Sequence, residues 1–310
     1  MGRRKVTIVG AGRVGATATQ MLAKKDICDV VLLNRTASTA AGIALDIAES
    51  SVVEGFDSKV IGTGDYAAMD GSDVVAITAG EQRKEGMSRD DLLKVNANIV
   101  ASVCEQVKAH APNSKLIILT NPLDAMVYLA KKKSGFQRER VIGMAGILDS
   151  SRFGTFTAEQ LGVGYSNVSA LVLGGHGDFM VPMPRHTTVS GVPITNLLDA
   201  QRIKSIADRT RDAGAEIIKL EGSSAFYAPA ASLVKMIDAI INDRKSLLPC
   251  SAVLSGEYGI SGVMGVPVVL GSGGIERIVE IQLSDEERAA IRTSAGKIAE
   301  SVMLIDKMGF

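Results

Sequence analysis

The chain has 310 residues, 46% of them apolar, and sets 34 Lys plus Arg against 34 Asp plus Glu. A chain of this length buries roughly three-quarters of its unfolded surface, and this apolar content fills such a core, which excludes intrinsic disorder. The formal net charge of zero offers no broad positive field to nucleic acid or an anionic membrane, so neither is expected as a partner.

The first apolar run, KVTIV at 5–9, follows basic residues in the manner of a signal peptide. It is short, runs into glycines and stops at Arg13, so it reads as a strand. A helix-like segment at 13–25 comes next, then the runs DVVLL (29–33), SKVIG (58–62), DVVAI (73–77) and KLIIL (115–119), with helix-like stretches at 39–50 and 90–110 between them. These runs are continuously apolar, the pattern of parallel strands covered on both faces. Strand–helix alternation predicts an α/β fold with a Rossmann-type doubly wound parallel sheet, whose ligands sit beyond the carboxyl ends of the strands.

After about residue 145 the rhythm changes. A helix-like segment at 149–162 precedes apolar VSALVLGG and SGVPI, then helix-like 199–221 and 227–242, strand signals at 262–270 and 278–282, and a closing helix at 284–307. This half predicts an α+β domain. With no linker rich in Pro, Gly or Ser, we expect residues 1–145 and 146–310 to form two domains packed together. Cys28, Cys104 and Cys250 are too few and too scattered for a disulfide framework or a metal site, so no metal is expected and a reducing cytoplasm fits. Nowhere do 18 apolar residues run together, so no membrane span is expected.

Gly10-Ala11-Gly12-Arg13-Val14-Gly15 follows the first strand and opens the first helix, the context in which Gly-x-Gly-x-x-Gly binds a dinucleotide. Gly10 permits the tight turn, Gly12 admits a pyrophosphate, and Gly15 lets helix and strand pack closely. At the end of the second strand, a carboxylate about 20 residues further on normally accepts from the ribose hydroxyls. Here stands Asn34, followed by Arg35, Thr36 and Ser38. A neutral amide in place of an anion, beside a guanidinium, predicts NADP(H) in preference to NAD(H). A solvated arginine in an ordinary turn is the alternative.

Any acid–base histidine must be His110, His176 or His186. His110 near a helix end and His186 in PRHTT read as structural. His176, in LGGHGD, lies among glycines that free the backbone to present an imidazole at a cleft, although alone it equally fits a hydrogen-bonded core histidine. Asp149 and Arg152, three apart, share one helix face, by itself the pattern of a surface ion pair. Arg83 and Arg89 flank a glycine in EQRKEGMSRDDLL, a charged loop between strand and helix. Asn121 follows KLIILT at a strand end, where the ligand crevice belongs.

In this order, the glycine motif, the arginine loop, TNP, Asp-x-x-Arg and GGHGD are recognisable. With DDLLKVNANI, RVIGMAGILDSSRF and SSAFYAPAA, the sequence resembles the lactate/malate dehydrogenase family along essentially its whole length, most closely the lactate-dehydrogenase-like malate dehydrogenases. The resemblance implies reversible oxidation of a 2-hydroxy acid with a nicotinamide cofactor. His176 is then the acid–base residue and Asp149 its orienting partner. Arg152 grips the C1 carboxylate, Arg89 polarises the carbonyl, Asn121 hydrogen-bonds substrate, and Ser224 is a weaker member of the pocket wall. The cofactor contacts implied are Gly10, Gly12, Arg13, Val14, Gly15, Asn34, Arg35, Thr36, Ser38, Asn96 and Asn121.

In this family, Arg at the position of Arg83 marks enzymes using malate and oxaloacetate, and Gln commonly marks those using lactate. A second carboxylate in a closed pocket needs a charge partner. The resemblance therefore implies malate dehydrogenase activity, with lactate dehydrogenase as the alternative. The loop departs from the usual malate type: Gln82 and Glu85 replace prolines, and Glu81 adds a carboxylate. A non-catalytic NADP(H)-binding regulator is a further alternative, but it has no need of His176, Asp149, Arg152, Arg83 and Arg89 together. A homodimer or homotetramer is the assembly that the family implies.

Overall fold

The computed structural model describes residues 2–81 and 88–310, the side chain of Arg89 excepted. The first half alternates as the apolar runs require: β1 (Lys5–Val9), α1 (Arg13–Lys25), β2 (Asp29–Leu33), α2 (Ala37–Glu54), β3 (Val60–Thr63), β4 (Val74–Ile77), α3 (Arg89–His110), β5 (Lys115–Ile118), α4 (Leu123–Ser134) and β6 (Val141–Gly143). These strands pair in parallel in the order β3-β2-β1-β4-β5-β6, a doubly wound Rossmann-type sheet. The order reverses between β1 and β4, which opens the crevice where such sheets take their ligands. Val6, Ile8, Leu32, Val74, Ile77 and Leu116 are wholly buried, as strands covered on both faces must be.

The glycine turn is built by contact. A Cβ on Gly15 would lie 1.9 Å from the Gly10 carbonyl oxygen, and Gly10 itself has φ +115° and no room against Ala79. Only residues without side chains let α1 leave β1 this abruptly. The second helix is longer than its apolar pattern of 39–50. It stops only at Gly55, whose left-handed conformation lets its N–H bond back to Ser51, and Val52 and Val53 are left exposed.

The second half runs α5 (Gly146–Leu161), β7 (Val168–Ser169), β8 (Val172–Gly174), β9 (Met180–Pro182), β10 (Thr188–Val189), β11 (Val192–Pro193), α6 (Ala200–Glu221), α7 (Tyr227–Ile241), β12 (Ser246–Ser255), β13 (Ser261–Gly271), β14 (Gly274–Ile278) and α8 (Asp285–Lys307). Antiparallel β12, β13, β8 and β9 continue the parallel sheet beyond β6, with β14 on β13; β11-β10-β7 form a separate three-stranded sheet. One apolar core runs from Val6 and Ile77 to Val266, Ile291 and Ile305, so the halves share their interior.

Strands β12 and β14 differ from the sequence pattern. Strand β12 has no counterpart in it, because Pro249 and three serines mask its apolar residues; Pro249 sits opposite Pro267, so these two prolines share one register position. The strand read at 278–282 comes earlier, as β14, which turns back tightly from β13. Residues past Ile278 make an irregular extension, with the Val279 N–H on the Pro267 carbonyl at 2.8 Å.

Candidate active site

Helix α5 begins at Gly146 without a side-chain cap, which puts Asp149 in its first turn and Arg152 one turn later on the same face. Asp149 is 1% exposed. A carboxylate so buried needs donors, and it has two: the His176 Nδ1 lies 2.9 Å from one oxygen and the Arg152 guanidinium 3.5 Å from the other. Since the carboxylate accepts, Nδ1 carries the proton, and Nε2 is left as the reactive nitrogen of the neutral ring. Nε2 makes no hydrogen bond among the described residues. Burial opposes charge on His176, but the neighbouring carboxylates, Asp149 foremost, outweigh it, and the imidazole pKa stands above its usual value. Burial lowers the Arg152 pKa against the pull of Asp149, so the guanidinium is poorly solvated and attractive to a further anion.

The loop after β8 presents the imidazole. Ser294 of α8 accepts from the Gly175 N–H at 2.8 Å and donates to the Phe179 carbonyl at 2.6 Å, closing the loop on itself. Asp124 of α4, which the sequence reading passes over, accepts from the His176 N–H at 2.9 Å. Its signal was a lone acid in the apolar segment LDAMVYLA. The other histidines lie elsewhere: His110 meets Asp70 at 2.8 Å, and His186 meets the Gln282 carbonyl at 3.2 Å.

The strand ends supply the rest. Asn121 is exposed just beyond β5, and its amide makes no hydrogen bond among the described residues. Asn96 is 1% exposed and clamps two strand-end loops, its side chain bonding the Glu81 N–H and carbonyl and the Asn121 carbonyl. Ser224 is half-buried in the connection from α6 to α7. Arg83, Gln82 and Glu85 lie outside the described residues, as does the Arg89 side chain, although its backbone opens α3 after the Ser88 cap.

At the glycine turn the residues fit a dinucleotide. Nothing lies within 4 Å of the space a Cβ on Gly12 would take, and α1 carries no side-chain cap, so its first N–H groups face an open cradle. Val14 packs inward on the core. Arg13 crosses to the other half, pairing with Glu221 and Ser223 and stacking 3.8 Å above the Phe226 ring. Asn34 holds the turn after β2, donating to the Thr36 carbonyl at 3.2 Å and lying 3.4 Å from the Ala11 nitrogen. Arg35, Thr36 and Ser38 are exposed, and no ion pair engages Arg35 among the described residues. No group of three or more potential ligands gathers for a metal among the described residues. No helix among them is long and apolar enough to cross a membrane.

Residues 4–143 match the lactate/malate dehydrogenase NAD binding domain, and residues 147–307 match the lactate/malate dehydrogenase alpha/beta C-terminal domain. The chain is 52% identical over 307 residues to a malate dehydrogenase of Thermomicrobium roseum, covering 99% of each. It is 50% identical to one of Chloroherpeton thalassium, covering 98% of this chain and 99% of that one. Among solved structures, the malate dehydrogenase of Salinibacter ruber superposes with a TM-score of 0.94 at 46% identity, covering 98% of each chain. A Cryptosporidium parvum lactate dehydrogenase, complexed with lactic acid and nicotinamide adenine dinucleotide, gives 0.95 at 42%, covering 99% of each.

Proposed function

The chain belongs to the lactate/malate dehydrogenase family, and from that premise we propose that it interconverts (S)-malate and oxaloacetate with a nicotinamide cofactor, NADP(H) preferred. The observation that carries this reading is the buried chain of contacts from Arg152 through Asp149 to His176. Residues 1–145 hold the cofactor, through the Gly12 cradle and the turn after β2, and residues 146–310 complete the substrate pocket. Bound there, a nicotinamide would supply the two-electron redox chemistry at C2 of the substrate.

The remaining chemistry is that of side chains. In oxidation, His176 Nε2 takes the proton of the C2 hydroxyl as the carbonyl forms; in reduction it returns that proton to the same oxygen. Asp149 fixes the ring and stabilises the imidazolium. Arg152 holds the C1 carboxylate in a two-point grip, which sets the orientation before reaction. Arg89 stabilises charge growing on the carbonyl oxygen, Asn121 hydrogen-bonds the substrate, and Ser224 lines the pocket. Arg83 pairs with the second carboxylate, which distinguishes malate from lactate.

Likeness of fold does not separate these two substrates, since a malate and a lactate dehydrogenase of Cryptosporidium parvum resemble the chain equally, at 42% identity each. Arg83 favours malate. For the cofactor, the support is the absence of a carboxylate at Asn34 and the exposed Arg35, Thr36 and Ser38 at the uncapped start of α2. The same reading carries a cytoplasmic setting and a homodimer or homotetramer.

One assay, NADH and NADPH each against oxaloacetate and pyruvate, tests both preferences. Oxaloacetate should exceed pyruvate by about a hundredfold or more in kcat/KM, because a charge enclosed with substrate and left without its partner costs about 3–5 kcal/mol. NADPH should exceed NADH by about tenfold or more, the worth of charge-assisted hydrogen bonds to one phosphate. Pyruvate or NADH in the lead would overturn the corresponding preference. Binding of NADPH without turnover of either oxo acid would overturn the enzymatic reading itself.

A further inference from the structure

Asp124 lies in the first turn of α4, 7% exposed, and burial raises its carboxyl pKa. Each of its oxygens nevertheless receives a donor from a different part of the fold. Oδ2 accepts from the His176 N–H at 2.9 Å, and Oδ1 accepts from the Ser251 hydroxyl of β12 at 2.7 Å. The ionised carboxylate, which has no hydrogen to donate, accepts both. The seat is constructed: Ser251 is fully buried opposite Gly143 of β6, where a Cβ would come within 2.7 Å of the serine Cβ.

A hydroxyl or amide would satisfy a lone N–H, so the hydrogen bond alone does not call for a buried carboxylate. We infer that Asp124 is a positioning residue for His176: with Ser251 it anchors the main chain of the loop after β8 to the parallel half, and it sets a second negative charge beside the imidazole that Asp149 orients. The inference rests on the reading of His176 as the acid–base group. Facing the imidazole are Asp149 and Arg152 from α5 and Asp124 from α4, while the nearby groups of β12 and α8, Ser251 and Ser294, are uncharged. Exposed Asp178 lies two residues along the same loop. The Asp124 charge acts in the same direction as that of Asp149, favouring the protonated ring, and Arg152 opposes both.

Asp124→Asn preserves the shape and both contacts, since the amide oxygen accepts from the His176 N–H and the amide nitrogen donates to Ser251. It removes only the charge. Asp124→Ala removes both. With only His110, His176 and His186 to resolve, NMR titration follows the His176 ring directly. Asp124→Ala should lower kcat about tenfold to a hundredfold through loss of alignment, with the KM for oxaloacetate changing less than about threefold. Asp124→Asn should recover most of kcat and lower the His176 pKa, while His110 and His186 stay in place. A His176 titration unmoved by Asp124→Asn overturns the inference, and so does a kcat that Asn fails to recover. If the Ala variant does not fold, the Asn titration alone decides. Turnover surviving His176→Asn would instead bring down the functional reading, a result separate from the titration, which needs no turnover.

Discussion

His176→Asn should lower kcat in both directions by about 10² to 10⁴, the usual worth of a positioned acid–base group, while dinucleotide binding is unchanged. The loss is specific because Asn keeps the site intact. Its amide can still donate to Asp149, so the buried carboxylate keeps a donor and the fold is spared the cost of about 1–3 kcal/mol for an unsatisfied buried group. The backbone N–H that bonds Asp124 is untouched. Stopped-flow turnover, cofactor titration by fluorescence and a melting curve measure the three quantities on one preparation. Parental turnover would end the assignment.

Arg152→Ala should lower kcat/KM for oxaloacetate by about 30- to 4,000-fold, corresponding to the roughly 2–5 kcal/mol lost when one partner of a buried charge pair is removed. Two effects oppose each other, and the first dominates. The C1 carboxylate loses its grip, while the imidazole loses the neighbouring cation that holds its pKa down, which favours the protonated ring that reduction needs. Arg152→Lys restores the charge without the planar fork and should recover only part of the loss. Steady-state kinetics of both variants, with the His176 titration alongside, separate grip from charge. A Lys variant equal to the parent would show that charge alone matters at this position.

The sequence exposes those parts of the site that depend on local pattern. Continuous apolar runs at 5–9, 29–33 and 73–77 correspond to β1, β2 and β4 within a residue, because doubly covered strands have no polar face to blur the signal. Gly10 and Gly15 were legible because steric exclusion at a tight turn leaves one residue type. Asp124 and Ser251 were not legible. They lie 127 residues apart, and each is an ordinary polar residue until α4 and β12 bring both to the loop after β8. Strand β12 was hidden by Pro249, whose consequence depends on its partner Pro267. Arg13 sits in the glycine motif, and only the tertiary fold shows that its guanidinium also meets Glu221, Ser223 and Phe226 from the other half.

The most direct measurement is the pH dependence of kcat/KM for malate oxidation and oxaloacetate reduction on the same enzyme. Oxidation requires the neutral imidazole and reduction the protonated one, so the raised His176 pKa sets one boundary for both. Oxidation should fall as pH drops through that pKa, reduction should fall as pH rises through it, and the shared inflection should lie above the usual imidazole value of about 6.5. Profiles that bend in the same direction, or an inflection below that value, would contradict a single imidazole carrying the proton.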